Sequence, residues 1–210
     1  SGLEIFEDDS LMFEPETDYS YSSYGWNLLS AVVEGASGTD FLTYMREEVF
    51  EPLGLRHTVP DHNDSIVVNR TEFYERGPYG AIVNAPYVDN SYKWAGGGFL
   101  STPEDLIRFA YAHSEPGFLA AETLSEIQDS QALRNGETTN YGIGWRTGRQ
   151  ADGDTTLGHS GGSVGGNTLL VMIPAHDMVV AGVVNISGPA GTIVNRVADV
   201  FESFLEGGRP

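Results

Sequence analysis

Three short stretches hold more small and polar residues than packing alone requires. In Tyr21-Ser22-Ser23-Tyr24-Gly25, a phenol stands just ahead of an apolar periodicity. Near the free N–H groups of a helix start its anion would be favoured, and it could serve as a base. The same residues also make an ordinary helix cap, with Tyr21 simply packed beside it. The run Tyr92–Thr102 carries Gly96-Gly97-Gly98 ahead of a helix start. Such glycines either form an anion-binding turn or let two backbones cross closely. Their spacing fits neither a P-loop nor a dinucleotide fingerprint, which favours the crossing.

The third stretch is Gly158-His159-Ser160-Gly161-Gly162-Ser163-Val164-Gly165-Gly166. Its first five residues fit the G-x-S-x-G turn that presents a nucleophilic serine. That chemistry needs an acid and then a histidine downstream. After Ser160 the only histidine is His176, with no Asp or Glu between them. A self-sufficient Ser160 nucleophile is therefore the weaker reading. Asp61-His62-Asn63-Asp64 clusters metal-ligand types, but nothing pairs with it at helical spacing and Asp and Asn are common turn residues. No metal and no cofactor are expected, and His57, His113 and His176 read as structural or solvated.

The elements that must position these stretches follow from periodicity. Trp26, Leu28, Leu29, Val32 and Val33 recur at helical spacing, with Gly35 or Gly38 as the stop. Thr39 and Asp40 open a second helix bearing Phe41, Tyr44, Met45 and Val49, broken by Pro52 and Gly54. Ile66-Val67-Val68 is the best strand candidate of residues 58–92. Thr102-Pro103-Glu104-Asp105 starts a helix that buries Leu106, Phe109 and Ala110, and a shorter one is expected over 121–128. Residues 141–146, 168–173 and 178–186 read as strands, with Pro174-Ala175-His176-Asp177 as the turn between the last two. A closing amphipathic helix carries Ile193, Val197, Val200, Phe201 and Phe204. Consecutive strands on tight turns predict an antiparallel sheet covered by helices, an α+β fold. Residues 1–20 are acidic and aperiodic, with apolar residues expected to pack onto the body.

The chain has 210 residues, 30 acidic against 11 basic, and a formal charge of −19. Phosphate binding needs a basic face, so nucleic acid is excluded as a partner. The absence of cysteine excludes disulfides, thiolate metal sites and a thiol nucleophile. No apolar run approaches the roughly 20 residues that span a bilayer. Lys93 is the single lysine, so any mechanism that requires one has only one place to put it.

Tyr21-Ser22-Ser23 with Trp26-Asn27-Leu28-Leu29, Glu34 and Gly38 resembles the second motif of the active-site serine β-lactamases and penicillin-binding proteins of class C type. Phe50-Glu51-Pro52-Leu53-Gly54-Leu55 continues the likeness. The run from Pro86 to Thr102 is similar to the mitochondrial β-lactamase-like branch and its bacterial relatives. His159-Ser160-Gly161 sits where the third motif, usually Lys-Thr-Gly, lies on the strand edging the site.

The resemblance implies acyl transfer through a serine acyl-enzyme, acting on a peptide, amide or ester. Tyr21 would be the proton-shuttling phenol. His159 would line the pocket, support Tyr21 and help place a substrate carboxylate. The Gly162 backbone N–H would be an oxyanion donor, and Ser23, Ser160 and Gly161 would contact substrate. Two departures matter. Ser23 replaces Asn, and His159 replaces Lys, which makes the charge there pH-dependent. Both point towards the esterase and peptidase branches.

The family's nucleophile is the serine of S-x-x-K, which is absent here, since three residues before Lys93 stands Asn90. The chain is therefore expected to be the C-terminal part of an incomplete β-lactamase/transpeptidase-like fold, silent on its own. Residues 20–140 would form its mainly helical part, and residues 141–210 its strands and closing helix. Open sheet edges are expected to pair with the missing N-terminal segment or to drive self-association. A binding or assembly module that keeps the fold without the chemistry is the alternative. The resemblance leans towards a periplasmic or extracellular location without fixing one.

Overall fold

The computed structural model describes residues 2–150, 153–188 and 196–197. Helix α1 (Ser23–Ser37) begins where Ser22 Oγ accepts the Tyr24 N–H, and it ends at Gly38, whose φ of 69° only glycine adopts cheaply. Of the two expected stops, Gly38 is the one used. The apolar side of α1 does not bury as the periodicity predicts. Leu28, Leu29 and Val32 are exposed, and the buried residue is Asn27, which donates to the Tyr92 carbonyl at 3.2 Å.

Asp40 caps α2 (Phe41–Tyr44), which widens into a π-type turn at Met45–Phe50 and closes as α3 (Glu51–Leu53). Pro52 was expected to break this helix and instead lies inside its last turn. The widened turn ahead of it accommodates the missing N–H and the ring, and Gly54, at φ 66°, makes the stop.

Strand β1 (Val59–Pro60) pairs with β4 (Phe99–Leu100), while β2 (Tyr74–Arg76) and β3 (Ile82–Asn84) form a hairpin. Ile66-Val67-Val68 is not a strand. Ile66 is 96% exposed, and Asn69 turns the chain at φ 62° with no partner strand alongside. Between β3 and β4 lies α4 (Trp94–Gly97), which packs on α1. A Cβ on Gly96 would stand 2.8 Å from the Ser23 carbonyl oxygen, so this glycine run is a backbone crossing.

Helix α5 (Pro103–Tyr111) starts as expected, Thr102 Oγ1 accepting the Asp105 N–H. The buried Asp105 carboxylate reaches back to take the His57 N–H at 2.7 Å and the Thr58 hydroxyl at 3.0 Å. Helix α6 (Ala121–Gln128) follows, and then four antiparallel strands in sequential order: β5 (Arg146–Arg149), β6 (Thr155–Ser163), β7 (Gly166–Ile173) and β8 (Met178–Val184).

The strand expected over 141–146 is instead a tight reversal. Asn140 and Gly144 have positive φ, the Gly142 N–H meets the Trp145 carbonyl, and β5 begins only at Arg146. One sheet face packs against α5 and α6 in a core of Ala110, Trp145, Leu157, Leu170 and Met172, with Leu106, Phe109 and Ile127 against it. The antiparallel sheet flanked by helices is the α+β architecture that the patterning predicts. Of the closing helix, Arg196 and Val197 are helical, while Ile193, Val200, Phe201 and Phe204 lie outside the described residues. Of the acidic opening, Phe6 packs on Tyr24 at 5.2 Å between ring centroids, but Leu11 and Met12 are exposed. Among the described residues, no helix is long and apolar enough to cross a membrane.

Candidate active site

Tyr21 lies just before α1 and His159 lies on β6, yet their ring centroids are 5.6 Å apart. Side chains alternate along a strand, so His159 shares a face with Leu157 of the core, while Ser160 and Gly162 belong to the opposite face. The core face of β6 therefore runs from a dry interior at Leu157 to an aromatic cluster at His159.

Tyr141 is 6% exposed and closes this cluster. Its hydroxyl is 2.8 Å from His159 Nε2, and its ring lies 5.9 Å from Tyr21 and 5.7 Å from Tyr19. His159 Nδ1 is 2.8 Å from the Ser160 carbonyl, which can only accept, so the proton sits on Nδ1. Burial lowers the His159 pKa; the carbonyl contact opposes this, and the nearby Arg146 guanidinium adds to the lowering. Burial also raises the Tyr141 pKa, with Tyr21 and Tyr19 reinforcing the rise and Arg146 opposing it.

Arg146 opens β5, with its guanidinium carbon 5.6 Å from the Tyr21 ring centroid and 5.7 Å from that of Tyr141. Among the described residues no carboxylate pairs with it. Arg146 thus puts a guanidinium charge beside Tyr21, while burial favours the neutral form of the His159 imidazole.

The backbone of β6 adds a second feature. The Thr147 N–H donates to Asn140 O at 3.0 Å, away from β6, and the Gln150 N–H donates to Asp154 O. Arg146 therefore bonds Gly158, and Gly148 bonds Thr156. By the same alternation, the N–H groups of Ser160 and Gly162 point to the β5 side. There β5 has ended, since Arg146 stands opposite Gly158. The Gly162 N–H thus faces an uncovered edge near the cluster, among the described residues. Ser160 lacks a histidine–acid pair, because its neighbour His159 is committed to Tyr141 and His176 pairs with Asp154 in the turn region.

Ser23 lines a cavity of about 400 Å³ with Tyr21, Ser22, Tyr24, Asn27, Tyr92 and Lys93. Lys93 thereby stands at the second motif, its ammonium 6.0 Å from the Tyr92 ring centroid. A larger cleft of about 530 Å³, floored by Phe50, Leu55 and Val59, contains none of the candidate residues. Asp61 is buried, held by Asn90 Nδ2 at 2.9 Å and Arg70 at 2.8 Å. No group of three or more histidine, aspartate or glutamate side chains among the described residues is placed to hold a metal.

Sequence reasoning missed Tyr141 and Arg146, which it read as the ends of a strand. A phenol and a cation flanking a Gly-x-Gly turn were the available signal, but only the reversal at Asn140–Gly144 brings them to His159.

The family described as Beta-lactamase matches residues 3–200. The serine beta-lactamase-like protein LACTB, mitochondrial, of Homo sapiens is 33% identical over 94% of this chain, and the match spans 40% of that protein's length. A penicillin-binding protein from Bacillus halodurans superposes with a TM-score of 0.80 at 20% identity, covering 94% of this chain and 61% of that one. A D-amino acid amidase from Ochrobactrum anthropi SV3 superposes at 0.73 and 21% identity, covering 93% and 65%. The chain spans less than half the length of its mitochondrial relative. Taken with the antiparallel sheet and the pairing of the Tyr21 and His159 segments, these matches place the chain in the β-lactamase family of serine hydrolases.

Proposed function

We propose that the intact protein is a serine acyl hydrolase acting on a peptide, amide or ester, and that these 210 residues contribute the proton-relay and oxyanion side of its site. The observation that carries this reading is the meeting of Tyr21 and His159 beside an outward-facing Gly162 N–H. A serine attacks the acyl carbonyl, the serine proton passes to the Tyr21 phenolate, and the carbonyl oxygen gains charge. The Gly162 N–H stabilises that charge, a donor worth about 3–4 kcal/mol in such sites. Tyr21 hands that proton to the leaving group as the acyl bond breaks, which leaves the acyl-enzyme. Water then attacks it, its proton passing to Tyr21 and on to the serine oxygen as the ester bond breaks.

Ser23, Ser160 and Gly161 would contact the substrate. Arg146, which no carboxylate pairs among the described residues and which lies over the Tyr21 ring, would bind a substrate carboxylate beside His159. The nucleophile and its lysine would come from the S-x-x-K motif, which these residues lack. The segment bearing it would seat against the exposed Leu28, Leu29 and Val32 of α1 and beside the cavity at Ser23. The amidase named above supports trying D-amino acid amides as well as esters.

The test is turnover of ester and amide substrates by the intact protein, with a fluorophosphonate marking the serine. Tyr21→Phe is expected to lower kcat by about 10²–10⁴, and Ser160→Ala to keep the phosphonate label. Unchanged turnover by Tyr21→Phe would remove the relay. A phosphonate-labelled serine on the isolated 210-residue chain would overturn the placement of the nucleophile elsewhere.

A further inference from the structure

His159 is the one member of the site with both polar atoms already committed. Nδ1 faces the Ser160 carbonyl at 2.8 Å and Nε2 faces the Tyr141 hydroxyl at 2.8 Å. A carbonyl accepts only, so Nδ1 donates, and Nε2 of a neutral ring must then accept from Tyr141. A protonated ring would carry hydrogens on both nitrogens. Nε2 could then keep its contact only by turning the phenol hydrogen away, and among the described residues the hydroxyl bonds no other acceptor.

We propose that Tyr141 is a positioning residue that locks His159 in its neutral, Nδ1-protonated form and so fixes the imidazole as an uncharged plate against Tyr21. The elements around the ring agree. Tyr21 faces it from before α1, Tyr141 from the reversal before β5, Arg146 from β5, and the Ser160 carbonyl from β6. Arg146 is the charged side chain that acts on His159, and its sign opposes a second cation. Tyr141 itself packs against the Tyr19 ring at 5.7 Å and lies under the Arg146 guanidinium. Among the described residues its hydroxyl therefore has one acceptor, His159 Nε2, and little freedom to turn.

The lock divides labour. Charge recognition falls to the Arg146 guanidinium, and shape falls to His159. The site then keeps one electrostatic character across the range in which an ordinary histidine would change it.

The inference rests on His159 belonging to the site, but its test does not need turnover. The protein labelled with 15N at histidine is examined by long-range 1H–15N correlation through a pH titration. The wild type is expected to show His159 with a protonated Nδ1 and a bare Nε2, staying neutral below the ordinary histidine range. Tyr141→Phe removes the donor while keeping the ring. It is expected to give mixed tautomers and a His159 pKa higher by about 0.5–1 unit, the worth of one hydrogen bond. His113, buried and packed on Phe109 and Trp145, reports whether the variant remains folded.

A proton on Nε2 in the wild type would overturn the proposal without any variant. So would a folded Tyr141→Phe protein with unchanged tautomer and titration. In the intact protein, the same substitution is expected to move the acid limb of kcat/KM upward in pH. A moved tautomer with no turnover in either protein would instead count against the hydrolase reading and leave the lock standing.

Discussion

The sheet side and the α1 side of the molecule bury their apolar residues to very different degrees. On the sheet side, α5 and α6 cover β6 and β7, and Ala110 and Met172 are at most 1% exposed. On the other side, α1 has the stronger apolar sequence, but Leu28, Leu29 and Val32 are exposed and the helix is held at one crossing by Asn27 and Gly96. A periodic apolar stripe states that a face is available for burial. It does not state what covers it.

That contrast can be broken most directly at Trp145, 5% exposed and packed on Phe109 and His113. Trp145→Ala is expected to cost about 3–5 kcal/mol in urea unfolding of the described chain, against no more than about 0.5 kcal/mol for Val32→Ala on the exposed face. Equal costs would erase the distinction between the two sides.

Gly96→Ala sharpens it from the other direction. The added methyl meets the Ser23 carbonyl oxygen and Asn27 Oδ1 below 3.0 Å, so α1 must lift from α4. A loss of about 1–3 kcal/mol is expected. Because Ser23 adjoins Tyr21, turnover of the intact protein should fall with it, whereas Trp145→Ala should spare kcat wherever the protein remains folded.

His113 tests the core by pH. Burial holds its pKa below the ordinary 6.5, so the unfolded chain takes up a proton first as pH falls. The stability this lends is whole above about 6.5 and is lost as pH drops from there to the folded value. His159 carries the same sign. The readout is therefore the difference between wild type and His113→Phe across a pH series of urea midpoints, and the variant should show the shallower acid limb. The smallest contrast lies in the two helix caps. Thr102→Ala, at a helix seated on the sheet, should cost about 1 kcal/mol, and Ser22→Ala, at an exposed start, less than half as much.

Much of this was legible in the residues, and the failures share one cause. Thr102 and Asp40 were readable, and Gly38 was one of two candidate stops, because caps and stops are local chemistry. The glycine run fits no ligand motif, and at Gly96 two backbones do cross, a Cβ there meeting the Ser23 carbonyl oxygen. Ile66-Val67-Val68 looked like a strand, yet three β-branched residues cannot summon a partner, and Ile66 and Val68 lie exposed with Val67 half-buried. Tyr141 and Arg146 looked like strand residues because their meaning depends on a reversal at Asn140 and Gly144 and on the register of β5 against β6. Pro52 looked like a breaker because the widened turn that admits it carries no sequence mark of its own. Local rules were recovered from the chain, and relations between distant segments were recovered only where motif order supplied them.

The outward N–H at Gly162 has a consequence for any survey of this protein by side-chain replacement. A methyl added there comes no nearer than 3.3 Å to Asn167 Oδ1 and leaves the donor untouched. An alanine scan would therefore score the position as dispensable. Only a change to the main chain itself would expose the donor, such as Gly162→Pro or an amide-to-ester exchange at that residue. A function borne by the backbone, as we propose for Gly162, is hidden from the alphabet in which variants are usually written.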